Sequence, residues 1–86
     1  MKERLIYELI TKIKQYQDRE KSISFYCKKL NLDASNGNKL IHELEHKKII
    51  FFDTIKNVKI PKLTIEGVSL CQKMFLTYNK SVLSIS

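Results

Sequence analysis

The chain has 86 residues, a formal charge of +7 and a hydrophobic content of 43%. That length supports one domain with one modest core and leaves no room for a core plus a deep, walled substrate cleft. The apolar share argues against a disordered chain, and two glycines and one proline argue against a linker or a loop-rich scaffold. Of the 16 basic residues only Arg4 and Arg19 are arginines, and the positive excess is spread evenly along the sequence. An anionic partner is favoured by this balance, but no segment is singled out by it.

Residues 1–10 read MKERLIYELI, where Glu3 and Glu8 interrupt any apolar stretch, so they do not resemble a secretory signal. The longest unbroken apolar run is Ile49–Phe52, far too short for a membrane span. A cytoplasmic protein is expected, with Cys27 and Cys71 reduced and packed as small hydrophobes.

In chain order, Leu5, Ile6, Leu9, Ile10, Ile13 and Tyr16 recur at steps of one, three and four and predict a helix over 2–17. The polar stretch 17–21 connects it to a short second helix, capped by Ser22 and carrying Ile23, Tyr26, Cys27 and Leu30. A third helix follows over 34–48, capped by Asp33 or Ser35, with Leu40, Ile41 and Leu44 on its apolar side. The period then changes. Ile49–Phe52 and the alternating Val58–Lys59–Ile60 predict a hairpin of 49–55 and 58–63 turning at Lys56–Asn57. Thr64 caps a last helix over 65–78, with Val68, Cys71, Phe75 and Tyr78 on one face. Residues 79–86 are expected to extend that helix, to pair with a partner as a dimerisation extension, or to fray as a tail.

The order helix, helix, helix, hairpin, helix describes a mainly α fold with a small β-hairpin, and the stretch 23–50 carries a resemblance. Ile23 and Cys27, then Leu30 and Leu32, then Leu44–Glu45, Lys47 and Ile49–Ile50, and finally Leu63–Thr64–Ile65–Glu66–Gly67 resemble the winged helix-turn-helix domains of small MarR-like and PadR-like microbial regulators. The resemblance covers residues 5–78. Two positions depart from the pattern: Lys48 stands where glycine is usual, and Gly37 where a buried apolar residue is usual. The resemblance implies a single winged-helix domain over 1–86 that binds double-stranded DNA as a transcriptional regulator, of bacterial or phage type, with no enzyme activity and no cofactor.

With about 100° per residue, Ser35, Asn38, Lys39, His42 and His46 fall opposite the apolar side of the third helix, and Asn36 falls at the boundary. In a helix-turn-helix this face enters the major groove, where asparagine can pair with an adenine edge and Lys39 can reach guanine or phosphate. An ordinary solvated face would look the same, and Glu43 and Glu45 oppose strong phosphate attraction. Lys56, Lys59 and Lys62 on the wing are the expected backbone contacts. Pairing Ile55 with Val58 puts Ile50, Phe52, Pro61 and Leu63 on one wing face and Phe51, Ile55, Val58 and Ile60 on the other. The second face suits a protein partner, so the alternative reading is a protein-interaction module such as a phage or plasmid factor that binds a host or replication protein. A homodimer through the first and last helices is expected, because their apolar sets exceed what one small core needs.

Residues 42–46 also satisfy the H-E-x-x-H pattern, in which two histidines on one helical face ligate zinc. The chain has no third histidine, so Asp53, Glu66 or Cys71 would have to complete a site. Zinc at this stretch is a minor alternative, and no metal or catalytic residue is assigned.

Overall fold

A computed structural model describes the backbone of residues 2–85 and the side chains of residues 3–78. Helix α1 (Lys2–Tyr16) leads through a 3-10 turn (Gln17–Arg19) to α2 (Ile23–Lys29) and α3 (Ala34–His46). Strands β1 (Ile50–Ile55) and β2 (Val58–Leu63) form an antiparallel hairpin, and α4 (Ile65–Ile85) ends the described chain. The backbone of α4 continues past residue 78, the helical extension that is one of the readings of 79–86. The proposed dimer role of 79–86 lies outside the residues whose side chains are described.

One core joins every element. Leu9, Ile10 and Ile13 of α1 pack with Tyr26 of α2, Leu40, Ile41 and Leu44 of α3, Ile50 and Leu63 of the hairpin, and Cys71 of α4. These are the stripes that the helical spacings predict, closed over by the hairpin.

Helices α2 and α3 end in the same device. At the end of α2, Leu32 N–H donates to Cys27 O at 2.8 Å and Asn31 N–H to Lys28 O at 3.2 Å, with Asn31 at φ 58. At the end of α3, Ile49 N–H donates to Leu44 O and Lys48 N–H to Glu45 O, both at 2.9 Å, with Lys48 at φ 62. This paired 6→1 and 5→2 pattern is the Schellman motif, which needs a left-handed residue just past the helix. Asparagine tolerates that conformation, and Lys48 adopts it despite its Cβ. The turn into the wing therefore keeps the geometry that a glycine would give.

The hairpin register pairs Ile55 with Val58 and Ile50 with Leu63, as the sequence predicts. Its two-residue turn holds Lys56 at φ 51 and Asn57 at φ 66, the doubly left-handed arrangement of a type I′ turn, which matches the twist of the strands. At the far end Thr64 binds wing and helix together. Its hydroxyl lies 2.6 Å from Lys48 O and 3.0 Å from Ile49 O, and it accepts Gly67 N–H at 3.0 Å. A side chain at Gly67 would collide with Ile49 O, so α4 can start against the wing only with glycine there.

One local expectation is corrected. Ser22 occupies the N-cap position of α2, but its hydroxyl bonds Ser24 Oγ at 3.0 Å rather than a helix N–H. On the outer wing face only part of the apolar set is exposed: Ile60 is buried at 3% exposure, whereas Phe51 and Val58 stay 46% and 44% exposed.

Candidate nucleic-acid interface

Helix α3 is set against α2 by an unusually close contact. Gly37 is buried at the crossing, and a Cβ there would collide with Cys27 Sγ. The glycine thus lets the two helices approach where an apolar side chain was expected. Burial pushes the Cys27 thiol pKa up, with Asp33 adding to the effect, so it stays a protonated packing group. Asp33 caps α3, accepting Asn36 N–H at 2.7 Å, while Ser35 sits in the first turn. The carboxylate therefore satisfies the α3 N-terminus.

With Gly37, Leu40, Ile41 and Leu44 buried, Ser35, Asn36, Asn38, Lys39, His42 and His46 are all exposed. Five of them form one continuous polar face. Asn36 stands apart, because its side-chain amide donates to Asp33 Oδ2 at 3.2 Å. Two shallow grooves flank the face. One is lined by Asn36, Lys39 and Glu43 against Leu5 and Leu32, and the other by Ala34 and Asn38 against Ser24, Cys27 and Lys28. Ser24 and Lys28 are therefore part of this surface. They are four residues apart on α2, a spacing visible in the sequence once α2 is read for its polar side as well as its apolar one.

His42 ties the face to the wing. Its ring meets Phe52 edge-on with centroids 5.9 Å apart, and Lys59 Nζ lies 5.4 Å from the centre of the same Phe52 ring. His42 Nδ1 also lies 3.8 Å from Glu45 Oε1. The three wing lysines are not equivalent. Lys59 shares the Phe52 face, Lys56 sits in the turn, and Lys62 lies on the opposite face and bonds Asp53 Oδ2 at 3.0 Å. Through the Phe52 ring, Lys59 is brought beside α3.

His42 and His46 share the exposed side, but among the described residues no group of three His, Cys, Asp or Glu side chains could hold a metal ion. Asp53 is engaged by Lys62, and Cys71 is buried 3.9 Å from Thr11 Oγ1. No described helix is long and apolar enough to cross a membrane.

The sequence matches no family model and no curated protein. Solved structures do share the architecture. A Staphylococcus aureus MepR–DNA complex superposes with a TM-score of 0.82 at 17% identity, over 93% of this chain and 59% of that one. A protein from Archaeoglobus fulgidus gives 0.69 at 22% identity, over 93% and 85%. Lactococcus lactis ZitR gives 0.68 at 14% identity, over 91% and 56%. This chain thus spans little more than half the length of MepR and ZitR. These likenesses, together with the element order and the Thr64 junction, establish the fold: the chain is a winged helix-turn-helix domain.

Proposed function

We propose that this domain binds double-stranded DNA and acts as a transcriptional regulator in the cytoplasm. The observation that carries the reading is the exposed polar face of α3, formed by Ser35, Asn38, Lys39, His42 and His46, beside the wing that bears Lys59. It is supported by the fold shared with MepR, a transcription regulator of a multidrug efflux pump that has been crystallised with DNA. In this reading α3 enters the major groove. Asn38, Lys39, His42 and His46 reach base edges, Ser35 and Asn36 lie near its first turn, and Ser24 and Lys28 contact the adjoining phosphates. Lys56, Lys59 and Lys62 contact backbone, Lys59 most directly because Lys62 is held by Asp53. Arginine is absent from α3, so specificity leans on A·T contacts and DNA shape.

A homodimer completes the reading. Between α1 and α4 runs a groove of about 440 Å³ lined by Tyr7, Thr11, Lys14, Cys71, Gln72, Phe75 and Leu76, and Leu76 is 59% exposed. A second copy seated there would present two α3 helices to half-sites about one DNA turn apart.

Selection of sequences from a random duplex pool, followed by titration at rising salt, tests the proposal. Salt-sensitive binding that weakens at least tenfold for Lys39→Ala with His42→Ala is expected. Absence of binding at low salt, or indifference to that double substitution, overturns it. The exposed Phe51 and Val58 favour a second reading, a protein-interaction module that uses the outer wing face. That reading predicts capture of a protein partner that is lost on Phe51→Ala and unaffected by Lys39→Ala.

A further inference from the structure

Away from α3, the junction of α1 and α2 carries a second cluster of cations. Tyr16 and Phe25 meet edge to face with centroids 5.1 Å apart. Arg19 lies 5.7 Å from the Tyr16 ring centre and Lys21 5.1 Å from that of Phe25. Lys29 spans both rings, at 5.7 and 5.6 Å. Asp18 and Glu20 lie in the same turn, but among the described residues neither forms an ion pair with these three cations. We propose that this patch binds the phosphate backbone of duplex DNA flanking the segment that α3 reads, an inference that rests on the DNA-binding reading above.

The placement follows from the packing. Cys27 marks the side of α2 that meets α3, through Gly37. Phe25 and Lys29 each lie two residues from Cys27, about 160° away round the helix, so they occupy the side turned from α3. Packed helices lie about 8–10 Å apart, and the major groove is about 12 Å wide. With α3 in the groove, α2 overlies the phosphate ridge that bounds it, and its far side continues along the duplex. Ser24 and Lys28 address the near edge of that ridge, and Arg19, Lys21 and Lys29 the stretch beyond. The rings matter because they hold the cations in place beforehand, so less side-chain freedom is lost when phosphate binds.

The test compares two triple variants of equal charge. One carries Arg19→Gln, Lys21→Gln and Lys29→Gln, and the other Arg4→Gln, Lys47→Gln and Lys73→Gln. Each is titrated with a selected duplex that has long flanks and with the same site stripped of its flanks, over a range of salt. Each lost phosphate contact removes about 0.9 from the slope of log affinity against log salt. The patch variant is expected to lose about two to three slope units and about tenfold or more in affinity on the long duplex, and little on the short one. The control triple should lose much less on either. Equal losses for the two triples, or an unchanged patch variant, overturn the inference while leaving DNA binding intact. Failure of the wild-type protein to bind either duplex overturns the parent reading and this inference with it.

Discussion

At Gly37, helix propensity alone would favour alanine by about 1 kcal/mol. The crossing with α2 reverses that preference, because a Cβ would collide with Cys27 Sγ. Gly37→Ala is therefore expected to destabilise the domain by about 1–3 kcal/mol, the cost of overpacking a tight contact. Cys27→Ala removes the atom in the way, so the double variant should be at least about 1 kcal/mol more stable than the two single losses add up to. Urea denaturation of the four proteins measures this coupling, and simple additivity would show that the contact is not what selects glycine. Tyr26 makes a different case. It is entirely buried, and its hydroxyl finds no hydrogen-bond partner among the described residues. Burial, with a smaller push from Tyr16, raises its pKa from 10.0 to about 12. In the unfolded chain the phenol ionises near the lower value. Stability is thus intact below pH 10 and drains away as pH rises towards 12, by about 2 kcal/mol from this group. Tyr26→Phe should leave neutral-pH stability unchanged or slightly higher and flatten that alkaline decline. A decline of equal depth in the variant would assign the alkaline loss to other groups.

Among the elements, the end of α3 shows where local rules and tertiary structure part. Lys48 holds a left-handed conformation that costs a side-chain-bearing residue on the order of 1 kcal/mol or more, because the Schellman bonds and the Thr64 hydroxyl fix it there. Lys48→Gly removes that strain but adds freedom to the unfolded chain, worth up to about 1 kcal/mol the other way. A net gain of up to about 1 kcal/mol is expected, seen as a raised thermal midpoint, and a loss of stability would mean that the lysine side chain contributes packing. The same site shows what the sequence makes legible. The helical stripes, the Ile55–Val58 register and the Thr64 junction follow from periodicity, strand alternation and capping chemistry, which are local. The left-handed Lys48 goes against its own residue preference, so only the surrounding hydrogen bonds reveal it. The separation of Lys59 from Lys62 follows from the register, since residues an odd number apart on a strand face opposite ways. The Asp53–Lys62 bond that holds Lys62 depends on side-chain placement across the sheet, and the burial of Ile60 depends on the rest of the fold.

For the whole molecule, the site on α3 is legible as a face but not as a surface. Its six expected residues are all exposed, yet their neighbours Ser24, Lys28 and Phe52 come from other elements and meet it only through the fold. The same holds for assembly. One winged-helix domain covers a few base pairs, and high affinity for an extended site needs two domains acting together. In the proposed dimer, the groove between α1 and α4, bordered by the exposed Leu76, would bury its apolar surface against a second copy. Leu76→Arg separates this contribution from that of DNA contact. The added positive charge cannot by itself weaken attraction to phosphate, and at an exposed position it should leave the monomer's stability within about 0.5 kcal/mol. If the groove is the dimer interface, two arginines would be buried near the symmetry axis, and the variant should sediment as a monomer. Its affinity for a duplex with two half-sites should fall at least tenfold, to that for a single half-site, while its affinity for a single half-site holds or rises. A variant that remains dimeric, or that binds both duplexes as the wild type does, would move the interface elsewhere on the molecule.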